Sequence, residues 1–187
     1  MKKLIAPLMI VATLLAAAAA GAYTFNDVKI EKWTGSGSKS AVVVVDFGAK
    51  SYAFGVYWDG ELTGTGALNM LSAGAGLGVE IGPKWGLVNG LRYDGYYHFS
   101  DTDEYDPTAS WWQYWTSSNG ETWTSPDYGS SSRILTDGAW DGWGWSPPWP
   151  DQGSAPVTPV PEPASIIALC SMIGFAGSAK LLRLRRP

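Results

Sequence analysis

The chain has one histidine, His98, and any hydrolytic reading must pass through it. Asp94 and Asp101 lie close by in sequence, and serines are plentiful, so the residue types of a Ser-His-Asp triad are present. The chain lacks the Gly-x-Ser-x-Gly elbow that presents such a serine on a strand-to-helix turn. A lone histidine at the end of an aromatic strand is explained by packing. Paired carboxylates hydrolyse glycosides in other folds. Here Asp59, Asp94, Asp137 and Asp141 stand in Asp-Gly pairs, where turn chemistry accounts for them. No catalytic residue is assigned, and the expectation is a non-enzymatic protein, with a secreted hydrolase as one alternative. The run Asp101-Thr102-Asp103-Glu104-Tyr105-Asp106 offers carboxylates at alternating positions, as calcium requires. It fails the EF-hand pattern, with no glycine at the sixth place and no closing bidentate glutamate, so it reads as a solvated acidic loop. No metal ligand and no cofactor are assigned. The remaining chemistry is aromatic. All 11 tryptophans fall between Trp33 and Trp149. Indole faces can stack on sugar rings, and they also supply most of the buried area in a small glycine-rich core. Packing explains most of them. Trp111 and Trp115 are the candidates for an exposed glycan-binding face, followed by Trp140, Trp143 and Trp145. The opposite face, Trp112 and Trp123, is the inverse choice.

The two ends carry a different signal. Met1-Lys2-Lys3 precedes an apolar run from Leu4 to Ala20, and Ala20-Gly21-Ala22 supplies the small-x-small exit of a secretory signal peptide. Cleavage after Ala22 leaves a mature chain beginning at Tyr23. At the other end Val160-Pro161-Glu162-Pro163 follows a proline-rich stretch. An apolar run from Ile166 to Ala179 comes next, then Lys180, Arg183, Arg185 and Arg186. The basic cluster favours the cytoplasmic side, which places the rest of the chain outside. The apolar run reaches a spanning length only if Leu181 to Leu184 are included and the basic side chains snorkel.

That tail resembles the PEP-CTERM sorting signal, with Val160, Pro161, Glu162 and Pro163 in the motif position. The likeness covers about the last thirty residues and rests on motif, apolar helix and basic end in that order. It implies export by the Sec machinery, recognition by a membrane exosortase, and cleavage near the motif. It also implies a transient stay in the inner membrane and a final place at the cell surface or in an extracellular matrix. Proteins with such tails tend to accompany exopolysaccharide, biofilm or floc. The same tail type is catalogued as the C-terminal domain of ice-binding proteins, which says nothing about ice binding here.

Four segments follow: a signal peptide at 1–22, a Trp- and Gly-rich globular domain at 23–146, a Pro-rich linker with the sorting motif at 147–163, and a transmembrane helix with basic end at 164–187. All 17 acidic residues but only seven of the 13 basic ones lie between Tyr23 and Pro163, a formal charge of −10. So acidic a domain repels phosphate backbones, which excludes nucleic acid as a partner. The single cysteine, Cys170, sits in the tail, so the domain has no disulfide, thiol nucleophile or thiolate ligand.

Within the domain, Ser36 to Ser40 reads as a Gly/Ser loop. Ala41 to Phe47 and Tyr52 to Trp58 read as a hairpin of buried strands. Thr65 to Ala73 has helical spacing in Leu68 and Leu71. Leu77 to Ile81 and Gly86 to Tyr97 predict further strands, broken at Gly82-Pro83 and Asn89-Gly90. Asn119-Gly120 predicts a two-residue type I′ turn that sets Thr116 opposite Trp123. Ser130 to Leu135 predicts the last strand, with Asp137-Gly138 and Asp141-Gly142 as turns beyond it. Pro147 to Pro163 reads as an extended linker. The fold class expected is β-rich α+β, a single small domain of antiparallel strands with one short helix, between a signal helix and a transmembrane helix.

The order of GALNML, WGLVNGLRY, WWQYWTSSNG and SSRILTDGAWDGWGW also resembles, more loosely, the C-terminal transcobalamin-like domain, a β-grasp module. It would cover about Ala41 to Trp145, with extra glycines and an acidic insertion, and without the helical toroid that accompanies that module in cobalamin carriers. This resemblance implies a small-ligand-binding module as the second alternative. The leading expectation is a surface or matrix protein associated with exopolysaccharide.

Overall fold

Ala41 to Val45 are all buried, because the strand that carries them lies inside a sheet with material packed on both faces. The computed structural model describes residues 22–100, 106, 108–148 and 153–161. In it β2 (Lys39–Asp46) pairs antiparallel with β3 (Ser51–Trp58), Val43 opposite Phe54, as the hairpin reading expects. The other edge of β2 takes β9 (Ala139–Ser146), which then pairs with β7 (Trp111–Ser117) and, beyond it, β8 (Trp123–Thr124). β1 (Ile30–Gly35) closes the far side of β3, giving the order β1-β3-β2-β9-β7-β8.

Not every pairing is antiparallel, which corrects the expected architecture. β1 runs parallel to β3, and β2 runs parallel to β9. The first follows from the Gly/Ser loop, which carries the chain over the end of β3 rather than back beside β1. A side chain at Gly37 (φ +149) would start 2.1 Å from the Trp58 carbonyl carbon, so only glycine allows the crossing. The second requires a long excursion between the paired strands, and the helix and a second sheet fill it.

That excursion begins with α1 (Gly64–Gly74), close to the predicted 65–73. Thr63 caps it by accepting a hydrogen bond from the Gly66 amide at 3.0 Å. Its buried positions, Gly64, Ala67, Leu68 and Leu71, fall on one stripe. Leu68 and Leu71 are fully buried, and each contributes roughly 1.5–3 kcal/mol. Gly76, with φ +80, provides the left-handed exit.

The second sheet follows, in the order β4 (Gly78–Ile81), β5 (Val88–Tyr93), β6 (Tyr96–Phe99). Asn89-Gly90 is not a break but lies inside β5. The chain instead turns at Asp94-Gly95, where both residues have positive φ, as a two-residue turn between Tyr93 and Tyr96 demands.

The large sheet has two packed faces. Val43, Val45, Phe54, Trp112 and Trp143 face α1 and the small sheet and form the main core. Val42, Val44, Ala53 and Trp140 form a smaller cluster on the opposite face with Val28, Phe25, Trp33 and Trp123. Residues 153–161 also cross that opposite face. They have no regular secondary structure, as a linker reading expects, but they are docked on the sheet.

Three further readings are corrected. The loop after β7 has five residues, not two: Ser117 pairs with Trp123, and Thr116 with Thr124. A type I′ turn needs positive φ at both central residues, and only Gly120 (φ +68) has it. Asn119 turns its side chain onto the loop instead, accepting from the amides of Glu121 and Thr122 at 3.0 and 2.9 Å. The one-residue shift moves Trp123 to the side of Trp111, Gln113 and Trp115. Residues 130–135 form turns and a single bridge from Ile134 to Thr63, not a strand. The last strand is 139–146, and it runs straight through Asp141-Gly142.

The signal segment 1–21, most of the acidic loop (101–105) and the tail from 162 onward lie outside the described residues, and with them both expected terminal helices. Among the described residues no helix is long and apolar enough to cross a membrane.

Candidate functional site

The small sheet turns alternate residues to opposite sides. Val79, Leu91, Tyr93 and Tyr96 pack on the main core. Their neighbours Glu80, Arg92, Tyr97 and Phe99 face solvent. Tyr97 and Phe99 are 50% and 41% exposed, and their rings stack at 6.2 Å with 23° between planes. Gly90, opposite Phe99, leaves room for that ring: a Cβ there would lie 3.0 Å from Phe99 Cδ2. Gly78 does the same for Arg92, whose side-chain stem crosses it. The Tyr97 hydroxyl donates to Glu80 Oε1 at 3.2 Å. Partial burial, with the Glu80 charge beside it, raises the Tyr97 pKa, so the hydroxyl stays protonated as a donor.

The loop joining β4 to β5 carries Trp85 and Leu87, 65% and 52% exposed, and Ile81 at the end of β4 is exposed as well. The Lys84 ammonium sits 5.6 Å from the Trp85 ring centroid. This face therefore offers flat aromatic surfaces beside a carboxylate and a guanidinium. Rings take the apolar face of a flat ligand, and the charged groups take its hydroxyls or carboxylates. At one end, around the Asp94-Gly95 turn, a shallow depression of about 310 Å³ is lined by Gly76, Arg92, Tyr93, Asp94 and Tyr97 among others.

The two tryptophans singled out from sequence stand elsewhere. Trp111 and Trp115 lie on the outer side of β7, away from the main core, and both are half-buried. Trp115 Nε1 is buried with no hydrogen-bond partner. The segment 153–156 and Trp123 cover the neighbouring strand: a Cβ on Gly142 would meet Pro156 at 2.6 Å and Trp123 at 2.8 Å. Trp112 is in the main core, its Nε1 donating to the His98 carbonyl at 3.1 Å. Trp140 and Trp143 are buried at 2% and 1% exposure. Trp145 stacks on His98 at 4.7 Å and 11°.

Sequence reasoning missed Tyr97, Phe99 and Trp85. The available signal was the pair Tyr97 and Phe99 at alternate positions of a short strand, opposite Arg92 and Gly90.

His98 and several carboxylates are engaged structurally. His98 Nε2 lies 3.2 Å from the Phe47 carbonyl, between aromatic rings. Asp141 is fully buried in β9 and pairs with Arg133 Nε at 2.8 Å, while the Tyr114 hydroxyl donates to it at 2.7 Å. Burial pushes its carboxyl up to about 6, against the Tyr114 hydrogen bond and the Arg133 charge. Burial also raises Tyr114 far above its ordinary range, with the Asp141 charge adding to it. Burial disfavours the Arg133 charge, but Asp141, Tyr114 and Tyr128 together outweigh it and Arg133 is held more firmly protonated. Asp46 accepts from the amides of Gly48 and Val157. Asp106 accepts from the Thr108 amide at 2.8 Å and from its hydroxyl. Among the described residues no group of three or more His, Cys, Asp or Glu could hold a metal ion.

Of the sorting motif, Val160 and Pro161 are described, and both are exposed at the end of the docked segment. Ala22 is the first described residue. Ala20, Glu162, Pro163, Cys170, Lys180, Arg183, Arg185 and Arg186 lie outside. Comparison of the chain with protein-family models, with characterised proteins and with solved structures finds no match.

Proposed function

We propose that this chain is a non-enzymatic protein exported by the Sec machinery and sorted by an exosortase through its PEP-CTERM-like tail. Its place is the cell surface or the extracellular matrix, after a transient stay in the inner membrane. There it associates with exopolysaccharide through the outward aromatic face of the small sheet. The observation that carries the binding reading is the Tyr97–Phe99 pair, stacked and exposed beside Glu80 and Arg92. Rings spread on a sheet face suit a flat, repeating polymer better than a compact substrate. The strongly acidic domain favours a neutral or sparsely charged glycan, with Glu80 and Arg92 hydrogen-bonding its hydroxyls.

The export reading rests on the end segments of the sequence. Replacing Pro161, Glu162 and Pro163 by alanine is expected to leave the protein in the membrane fraction. Release of this variant equal to wild type would remove the sorting assignment. For binding, Trp85 is the natural reporter, and saturable quenching by the host's own polysaccharide is the expected result. A small-ligand reading of β-grasp type is supported by the depression at Asp94-Gly95. Quenching by monosaccharides or cobalamin but not by polymer would favour it.

A further inference from the structure

The loop after β7 closes its hydrogen bonds around one serine. Ser117 Oγ accepts from the Gly120 amide at 2.9 Å and from the Asn119 amide at 3.1 Å, and its own proton is donated to Asn119 Oδ1 at 3.1 Å. Asn119 Oδ1 also accepts from the Glu121 and Thr122 amides, as the register correction showed. Bonds of this kind shape many loops. Here they surround the atoms of a reaction that an Asn-Gly pair is built to undergo. The backbone nitrogen after the asparagine can attack the side-chain amide carbon and expel ammonia, and a glycine puts no Cβ in the way. Two barriers oppose the attack: the nitrogen must lose its proton, and charge develops on the side-chain oxygen. The serine bridges the nitrogen and the oxygen, and two further amides point at the oxygen.

We propose that Asn119 is a self-modification site, converted in the folded chain to aspartate and isoaspartate with Ser117 as the proton relay. The Gly120 nitrogen bonds to Asn119 Cγ. Its proton passes to Ser117 Oγ, while the Ser117 proton passes to Oδ1. The bond from Cγ to Nδ2 then breaks, and the amine leaves as ammonia with the proton from Oδ1. The cyclic imide left behind takes up one water and opens on either side, giving aspartate or isoaspartate. Water is the only co-reactant. The chain's other Asn-Gly pair, Asn89-Gly90, lies inside β5, where the Asn89 carbonyl accepts from the Ser100 amide at 2.8 Å and Gly90 is paired with Phe99. That pair is held extended in a ladder and has no such relay drawn around it.

The product changes what the loop holds. The Asn119 carbonyl accepts from the Tyr23 amide at 2.9 Å, and the Gly120 carbonyl accepts from the Thr158 hydroxyl. One loop thus fastens both the segment beginning at Tyr23 and the strap of residues 153–161, which lies over Gly142 and Gly144. In isoaspartate the backbone runs through the side-chain carbon, and the former carbonyl of residue 119 becomes a free carboxylate. Gly120 has no slack to absorb the added methylene, since even a Cβ there would lie 2.8 Å from the Trp140 ring. Both end segments lose their anchor on this loop. The site is independent of the polysaccharide reading, because it stands on the large sheet.

The test incubates the purified folded chain at neutral pH and follows amide loss and isoaspartate at each asparagine by peptide mass spectrometry. The expected result is reaction at Asn119 about tenfold or more faster than at Asn89. Ser117→Ala should slow Asn119 by a similar factor, and Ser117→Thr, which keeps the hydroxyl, should preserve the rate. Asn89 monitors folding, because its own rate rises if a variant loses β5. Should Ser117→Ala unfold in this way, wild type in urea becomes the reference without a relay, and Asn119 must react more slowly there than in the fold. An Asn119 that stays intact overturns the proposal. So does a rate that folded Ser117→Ala leaves unchanged, or one that Ser117→Thr abolishes.

Discussion

Asp141 shows how much one side chain can carry in this fold. It is buried between Arg133 and Tyr114, and a Cβ on Gly64 at the start of α1 would lie 2.6 Å from its Oδ2. Its carboxyl titrates near 6 when folded and near 3.8 in a free chain. A carboxyl whose pKa is raised by folding binds its proton more tightly in the fold. That contribution is present at low pH and is lost as pH rises from 3.8 to about 6. Asp27, Asp59, Asp94, Asp106 and Asp137 behave oppositely. Hydrogen bonds from Thr24, Ser38, Tyr52, Thr108 and Ser40 hold them below 3.8, so their contribution is lost as pH falls through that range. Urea unfolding should therefore show greatest stability near pH ~4.5, falling by on the order of 2–3 kcal/mol toward pH ~7. Asp141→Asn should flatten that slope while lowering stability overall, because Arg133 loses its partner. A slope unchanged in the variant would assign the pH dependence to another group. Gly55 gives a second test at this scale. Trp33 lies flat on it and stacks on Tyr57 at 4.6 Å. Gly55→Ala places a Cβ within 2.4 Å of three indole atoms, and the expected loss is about 1–3 kcal/mol in a thermal or urea melt. Neither residue was legible in the sequence. Asp141-Gly142 carries the local signature of a turn, and that signature is overridden by a half-buried cation 8 residues away and by pairing with β2.

At the scale of elements, what was legible is what is locally determined. The β2–β3 hairpin follows from apolar runs joined by a short turn, and α1 from the helical spacing of Leu68 and Leu71. Thr63→Ala should cost about 1 kcal/mol through the lost cap alone, read as a shift in the urea midpoint. The parallel neighbours β1–β3 and β2–β9 were not legible, because each depends on where the chain arrives after a crossing rather than on the strand's own pattern. The aromatic hairpin shows the cost of a single residue. The Asn-Gly pair was recognised, yet Asn119 hydrogen-bonds its own loop, and the register moves by one. The docked strap is the largest departure from a linker reading, since proline-rich composition describes its backbone but not the glycine trough that receives it. Ending the chain at Pro148 should lower the melting temperature by several degrees. Ending it at Pro161 should not, relative to longer forms. Equal melting of the two would mean that the strap contributes nothing to the fold.

The described residues set an acidic body against one face that exposes stacked aromatic rings. The second sheet, which presents that face, was half legible: strand segments at Leu77 to Ile81 and Gly86 to Tyr97 were anticipated, but the break was placed at Asn89-Gly90 rather than at the Asp94-Gly95 turn, and the choice of exposed aromatics fell on Trp111 and Trp115. Both faces of the large sheet are covered, so its tryptophans pack, while the small sheet has only one side to bury. The central claim is that polysaccharide binds at that open side. Affinity electrophoresis of the 23–161 chain through gels containing the host's exopolysaccharide measures this directly, with Tyr97→Ala/Phe99→Ala and Trp111→Ala/Trp115→Ala variants in adjacent lanes. The account predicts retardation of the wild-type chain and of the Trp111/Trp115 variant, and at least a tenfold weaker effect for the Tyr97/Phe99 variant. Equal retardation of all three, or loss only in the Trp111/Trp115 variant, would contradict it.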